Sequence, residues 1–160
     1  MNENLVIRKG TIDDVETIYD FIYQLAEYEK LTDDVTTTHE ELAKTLFADD
    51  THTHTIIGYY DNKPVGIALY FFNYSTFKGK PGLYLEDLFV IPEMRGKGFG
   101  KTFLIELAKI AKDNNCARFE WSVLDWNKQA IDFYKSLGAK PMDEWTVFRL
   151  TENGIDNLIK

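Results

Sequence analysis

The chain has 160 residues, 44% of them hydrophobic and 14% aromatic, which is enough apolar material for one cored domain and excludes a disordered chain. A formal net charge of −8 argues against nucleic acid as the main partner, because neutralising phosphates needs a basic stripe, and it suits a cationic substrate. The single cysteine, Cys116, rules out an internal disulfide framework and fits a reducing, cytoplasmic setting; Met1-Asn2-Glu3-Asn4-Leu5 has no basic-then-apolar leader pattern, and no apolar run approaches the roughly 18 residues of a membrane span.

Leu5-Val6-Ile7-Arg8 reads as a first strand. Thr11 caps a helix predicted to run to Glu29, with Val15, Ile18, Ile22 and Leu25 recurring at helical spacing. Thr38 and Glu41 stand at capping-box spacing and open a shorter helix through Leu42 and Leu46. Thr53 to Tyr60 is predicted as a strand, followed by a turn of about four residues, Asp61-Asn62-Lys63-Pro64, and a second strand from Val65 to Tyr74. Leu83 to Val90 is the next strand, ended by Pro92. Gly98 to Asn114 is a helix whose Phe103, Leu104, Leu107, Ile110 and Ala111 share one face. Arg118 to Leu124 reads as a strand, Asn127 to Leu137 as a helix stopped by Gly138, Trp145 to Leu150 as a final strand, and Thr151 to Leu158 as a short helix. The order β-α-α-β-β-β-α-β-α-β predicts one α/β domain over residues 1–160 with a mixed sheet.

Three glycines, Gly96, Gly98 and Gly100, fall between a strand and a helix. Glycine lets backbone N–H groups approach a ligand, and a following helix adds its free N–H groups and positive dipole end, so the segment predicts an anion site. Arg95, Lys97 and Lys101 add positive charge to it. A nucleotide P-loop does not fit, because Arg95 stands where its first glycine belongs. The dinucleotide fingerprint fails as well, since Lys101 or Phe103 occupies the place of its third glycine.

Arg95-Gly96-Lys97-Gly98-Phe99-Gly100 fits the [Arg/Gln]-x-x-Gly-x-[Gly/Ala] pattern, and here the sequence resembles the GNAT superfamily of N-acetyltransferases. Leu83-Tyr84-Leu85-Glu86-Asp87-Leu88-Phe89-Val90 looks like the diamine (spermidine/spermine) acetyltransferase branch. So does Leu124-Asp125-Trp126-Asn127, followed by Ala130-Ile131-Asp132-Phe133-Tyr134. Leu25 to Leu31, Tyr74 to Lys80 and the Leu-Asp-Trp-Asn segment look most like its thialysine-preferring members. The resemblance runs from about residue 5 to 150. It implies a GNAT fold, a mixed and mostly antiparallel sheet flanked by helices and splayed at the acetyl-CoA strand. It also implies acetyl-CoA as co-substrate, a small amine acceptor, no metal and a homodimer.

Acetyl transfer needs a neutral amine, yet an alkyl amine has a free pKa of about 10.4 and arrives protonated. The resemblance assigns a water-mediated base to Glu86 and recognition of the cationic amine to Asp87. In a regular strand these neighbours face opposite ways, and which of them takes the proton stays open at this level. It places Leu88, Phe89 and Val90 along the pantetheine arm, with an N–H of Leu88 or Phe89 on the oxyanion. It places the residues from Arg95 to Lys101 on the pyrophosphate, and Asn127, Lys128, Gln129 and Ala130 on the cofactor, with helix capping as a second role for Asn127. Tyr134 is implied to lie near the sulfur and to protonate the leaving thiolate. Tyr28 and Glu29 are implied amine contacts, with Ser75, Phe77, Glu120, Trp121, Ser122 and Glu144 as further candidates in the same pocket.

His52 and His54 have no accompanying cysteine or carboxylate set, so no zinc site is expected, and Cys116 reads as a buried structural cysteine. Two competing functions keep the glycine loop. A protein-amine acetyltransferase would need a peptide groove, which the bulky Phe71, Phe72, Tyr74 and Phe77 segment does not suggest. A non-catalytic acyl-CoA-binding regulatory domain would lose Glu86 and Tyr134, and both are present.

Overall fold

A computed structural model describes residues 4–160; the first three residues of the segment read above for a leader lie outside the described residues. The chain divides into two units, one ending at Ser122 and the other running from Val123 to Lys160.

The first unit contains β1 (Leu5–Lys9), a 3-10 turn (Ile12–Asp14), α1 (Val15–Glu29), α2 (His39–Leu46), β2 (Thr53–Tyr60), β3 (Lys63–Ser75), β4 (Lys80–Val90), α3 (Phe99–Asp113) and β5 (Arg118–Trp121). The strands form one open five-stranded sheet in the order β1-β2-β3-β4-β5. The first four are antiparallel neighbours, and β5 runs parallel to β4.

Both ends of α1 are fixed by local chemistry. At its start the Asp14 carboxylate accepts the Thr11 N–H at 2.8 Å, two bonds from the Arg8 guanidinium at 2.8 Å each, and the Tyr59 hydroxyl at 3.1 Å. The Arg8 guanidinium holds this carboxyl well below the usual range against the opposing effect of burial. At its end Lys30 takes a left-handed conformation (φ 63°), and the Leu31 N–H donates to the Ala26 carbonyl at 2.8 Å. That C-terminal motif pins the last turn, which carries Tyr28 and Glu29. The Thr38–Glu41 capping box is present, with the Glu41 N–H donating to Thr38 Oγ1 at 3.2 Å and the Thr38 N–H to Glu41 Oε2 at 3.0 Å.

On one face of the sheet, Ile18, Phe21, Leu42 and Leu46 from α1 and α2 pack on Ile57, Ile67, Leu69 and Phe89. Each fully buried side chain of this kind contributes about 1.5–3 kcal/mol, so truncating Ile18, which is 0% exposed, to alanine costs about 2–5 kcal/mol. On the other face the ring of Phe103 from α3 rests directly on Gly58 and Gly66. A Cβ at Gly58 would lie 2.8 Å from that ring, and one at Gly66 would lie 2.7 Å from the Phe89 carbonyl oxygen. This close approach seats α3, and with it the glycine loop that opens the helix.

Several strand boundaries differ from the sequence reading. The β2–β3 connection is the two-residue turn Asp61-Asn62, with φ 49° and 62°, so β3 begins at Lys63. Pro64, which has no N–H for a ladder, is accommodated beside a register shift at Gly58/Tyr59. β4 begins at Lys80 instead of Leu83, and β5 ends at Trp121 instead of Leu124. Cys116 is half-buried, not buried.

The second unit contains α4 (Lys128–Ser136) and α5 (Glu152–Leu158). Asn127 caps α4, its Oδ1 accepting the Ala130 N–H at 3.3 Å, and Thr151 caps α5. The expected strand Trp145–Leu150 is not formed. The segment is irregular, with Trp145, Val147 and Phe148 exposed. β-propensity makes a strand only where a neighbouring strand takes its hydrogen bonds, and the alternation of Trp145-Thr146-Val147-Phe148-Arg149-Leu150 defines no single apolar face. Among the described residues no helix is long and apolar enough to cross a membrane.

Candidate active site

In the first unit, the segment joining β4 to α3 supplies the loop. Gly96 and Gly98 have φ of 75° and 82°, and Gly98 is the N-cap of α3. A Cβ at Gly96, Gly98 or Gly100 would meet nothing within 4 Å, so this backbone faces open space. The first-turn N–H groups of a helix have no acceptor within it, and they carry its positive dipole end. A phosphate group fits such a cradle. Arg95 is placed at the root of the loop: its Nε donates to the Val90 carbonyl at 2.9 Å, and its guanidinium lies over the rings of Tyr28 and Phe89, 4.7 and 5.3 Å from their centroids.

The β4 strand has a free edge beside this loop. Its ladder to β5 covers Gly82 to Leu85 and stops at the pair Leu85–Trp121. From Glu86 to Val90 the edge on the β5 side has no strand partner among the described residues, while the opposite edge stays paired to β3. Only alternate residues turn their backbone groups to that edge. The Ile91 N–H donates to the Val65 carbonyl, so in the same ladder Phe89 bonds towards β3, contrary to the expectation that it lies along the pantetheine arm. Leu88 and Val90 face outward, the Val90 carbonyl already accepting from Arg95 Nε. The Leu88 N–H and carbonyl and the Val90 N–H face the edge open to an extended, amide-bearing chain such as pantetheine.

The carboxylates lie where the two stretches of β4 meet. Leu69 pairs with Asp87 and Tyr70 with Leu85, so Glu86 is the extra residue of a β-bulge. The strict alternation that would put Glu86 and Asp87 on opposite faces does not apply here, and this corrects the regular-strand expectation. Glu86 is exposed. Asp87 is pushed up to about 6, first by burial, then by the charges of Glu86 and of Glu29. Burial likewise pushes up the Glu29 carboxyl. Three acidic groups from α1 and β4 thus share a field that favours a cation or a retained proton.

The sheet face that carries Asp87 continues past the α1–α2 core. The register places Phe71, Tyr84 and Glu120 in one row and Asn73, Gly82 and Arg118 in the next. The rings of Phe71 and Tyr84 are 5.2 Å apart, and the Tyr84 hydroxyl lies 2.7 Å from Ser122 Oγ. Neither was read in the sequence as lining this face: Phe71 stood in the bulky segment set against a peptide groove and Tyr84 within the Leu83–Val90 run, and the signal for Tyr84 was its alternation with the buried Leu83 and Leu85.

Three candidates stand apart from Asp87. Ser75 is buried and pairs with Lys80 at the far end of the β3–β4 hairpin, and Phe77 is fully exposed beyond it. Six residues of strand separate Ser75 from Leu69, the partner of Asp87, roughly 20 Å. Trp121 pairs with Leu85 and packs on Phe119 at 4.9 Å, on the face opposite to Glu120 and Ser122. In the second unit, Asn127 caps α4, Lys128 pairs with Asp132 at 2.8 Å, and Gln129 and Ala130 complete the first turn. Tyr134 sits on the same helix with its ring 5.7 Å from that of Phe133, and Glu144 is exposed in the irregular segment. His54 stacks on Tyr70 at 5.2 Å, and no group of three or more potential metal-ligating side chains occurs among the described residues.

The profile described as Acetyltransferase (GNAT) family matches residues 14–139. The chain is 39% identical to the thialysine N-epsilon-acetyltransferase of Bos taurus, covering 91% of each chain, and 34% identical to that of Caenorhabditis elegans, covering 92% of each. It is 31% identical to the L-ornithine N5-acetyltransferase of Arabidopsis thaliana, covering 96% of this chain and 87% of that one. Among solved structures, an integron cassette protein from the mobile metagenome of V. cholerae superposes with a TM-score of 0.83 at 29% identity, covering 99% of each chain. An aminoglycoside acetyltransferase from an uncultured soil metagenomic sample superposes with a TM-score of 0.78 at 19% identity, covering 94% of this chain and 97% of that one, a likeness of fold alone.

Proposed function

The chain belongs to the GNAT acetyltransferase family and is an acetyl-CoA-dependent amine N-acetyltransferase, and from that premise we propose that it acetylates a small diamine, polyamine or lysine-like amine by direct transfer in a ternary complex. The observation that carries the reading is the bulge that sets Glu86 and Asp87 side by side at the head of the unpaired β4 edge, within the field of Glu29. Bound acetyl-CoA supplies the activated acetyl group.

The chain's own residues do the rest. The first turn of α3 and the backbone of Gly96, Gly98 and Gly100 hold the pyrophosphate, and the free edge at Leu88–Val90 aligns the pantetheine arm. The backbone N–H of Leu88, which faces the free edge, donates to the thioester oxygen. Asp87 and Glu29 draw in the ammonium. Glu86, exposed at the bulge, takes its proton through water. The Tyr134 hydroxyl gives a proton to the departing sulfur. The family match running from residue 14 to 139 supports one acetyltransferase domain built from both units, and the family resemblance supports a cytoplasmic homodimer, which light scattering of the purified chain tests.

The decisive experiment is free-thiol release from acetyl-CoA across a panel of putrescine, spermidine, lysine, thialysine and a lysine peptide. Release with the small amines is expected. Silence with every amine overturns the reading, and preference for the peptide moves it to protein acetylation.

A further inference from the structure

The second unit, Val123 to Lys160, has no interior: none of its residues, all of them described, is buried. Trp145 keeps 75% of its surface exposed and Phe148 90%, with Val147 and Leu150 exposed beside them. A unit of under about 40 residues usually needs a disulfide, a metal or another chain to hold it. This one has no cysteine, and no group of potential metal ligands occurs among the described residues. A helix as short as α4 is itself marginal in water without packing. Yet α4 carries Tyr134, the proposed proton donor to the sulfur.

Two stretches of backbone stand open. Thr146 to Arg149 make no backbone hydrogen bond among the described residues. β5 is the last strand of its sheet and pairs with β4 alone. The Ala117 N–H donates to the Pro81 carbonyl, so by alternation Phe119 and Trp121 bond towards β4, while Arg118 and Glu120 turn their backbone groups outward.

The side chains of the two stretches match. In β5, Phe119 and Trp121 share one face, their rings 4.9 Å apart, and Glu120 lies on the other. In the open segment, Phe148 and Leu150 alternate with Arg149. Any pairing that sets Arg149 on the Glu120 side brings Phe148 and Leu150 to the side of Phe119 and Trp121, so one choice of face satisfies charge and apolar contact together. Trp145 and Val147 then lie on the face of Arg149. A segment apolar on both faces has the composition of a strand covered on both sides. Trp145 and Phe148 alone offer roughly 300–400 Å², close to half of the 800 Å² or so that each partner contributes to a stable interface.

Resting on the acetyltransferase reading above and on Tyr134 as its proton donor, we propose that residues 145–150 of a second copy add as a strand to the free edge of β5, and that the unit carrying Tyr134 is held in its working form only in this dimer. A two-fold axis makes the exchange reciprocal, so each copy gives one strand and receives one. Strand addition satisfies the backbone groups on both sides and buries the side chains that a single chain leaves in water. The catalytic unit is then completed by association, and acetyl transfer becomes dependent on protein concentration.

The test follows the full wild-type chain through a dilution series by light scattering, hydrogen exchange and thiol release from acetyl-CoA. The amides of residues 146–150 and those of Arg118 and Glu120 are expected to be protected in the dimer and to exchange at least tenfold faster once it dissociates. Specific activity is expected to fall at least tenfold over the same range. Phe148→Asp is expected to weaken association a hundredfold or more. Arg149→Glu and Glu120→Lys are each expected to weaken it about tenfold, and the double charge reversal to recover most of that loss. A wild-type chain that stays monomeric overturns the proposal, as does a dimer whose 146–150 amides exchange freely. Protection that survives dissociation, or that acetyl-CoA alone confers on the monomer, overturns it too, because the segment is then covered within its own chain or by the co-substrate. The wild-type measurements decide even if a variant fails to fold. A protected dimer without thiol release on any amine defeats the acetyltransferase reading alone, whereas a fully active monomer defeats the dimer requirement and leaves that reading standing.

Discussion

The guanidinium carbon of Arg95 lies 4.7 Å from the centroid of the Tyr28 ring, which ties the loop before α3 to the last turn of α1. A cation held over a tyrosine face gains about 0.5–1 kcal/mol, more when desolvated. Tyr28→Leu is expected to raise the KM for acetyl-CoA roughly threefold, while Tyr28→Phe, which keeps the ring, stays near wild type. Steady-state kinetics at saturating amine checks this, and equal effects of the two variants would exclude the ring contact as the cause.

Gly98 has φ 82°, and an added Cβ there points into open space. Gly98→Ala is expected to cost about 1–2 kcal/mol of backbone strain, a modest loss in melting temperature. The same methyl stands where the phosphates approach, so acetyl-CoA affinity should fall roughly tenfold. Calorimetric titration of acetyl-CoA reads this, and unchanged affinity would remove the loop from the binding site.

Asp87 retains its proton up to about pH 6 in the folded chain, whereas an unfolded aspartate loses it near 3.9. The folded state binds that proton more tightly, so this group's effect on stability turns unfavourable as pH rises from about 4 to about 6 and stays so above. Asp87→Asn is expected to raise stability at pH 7.5 by on the order of 2 kcal/mol and to change it little at pH 4. Urea melts at the two pH values test it, and equal shifts at both would contradict the linkage. Turnover should fall roughly tenfold, since the incoming ammonium loses a charged partner.

Asp14 has the opposite sign. Its native pKa lies below the unfolded value, so its contribution is fully present above about pH 4 and is lost as pH falls further. Asp14→Asn is expected to cost about 2 kcal/mol at pH 7 and to flatten the acid limb of the stability curve. Acid titration followed by circular dichroism shows whether the limb flattens; an unchanged limb would detach Asp14 from acid stability.

Tyr134→Phe removes only a hydroxyl. It is expected to lower kcat roughly a hundredfold with acetyl-CoA affinity within about twofold of wild type. Unchanged turnover would take Tyr134 out of the proton path.

The sequence revealed what local chemistry decides. The Thr38–Glu41 box, the Asn127 cap, the glycine run into α3 and the two-faced α1 are readable because each depends on residues within a turn or two of one another. What escaped depends on neighbours distant in the chain. Pro64 looked like a turn residue, yet it lies in β3 because Asp61 and Asn62 close the hairpin by themselves. Trp145–Leu150 has strand composition without the pairing that makes a strand. Phe71 and Tyr84 could be recognised as a wall only once the β3–β4 register was known, since alternation assigns no face across an unlocated bulge. Glu120 and Ser122 were singled out together with Trp121; alternation sets them on opposite faces, and pairing with β4 shows that Glu120 shares the face of Tyr84 and Trp121 that of Leu85.

Every pair between β3 and β4 can be written without Glu86. Leu85 opposite Tyr70 and Asp87 opposite Leu69 are consecutive rungs, so a chain one residue shorter would thread the same ladder with no side chain changing sides. Among the residues at this end of β4, Glu86 is the one the scaffold can spare. Deleting Glu86 would leave the β3–β4 ladder intact and remove only the carboxylate proposed as the base, so the scaffold and the proposed chemistry are separable at this one position.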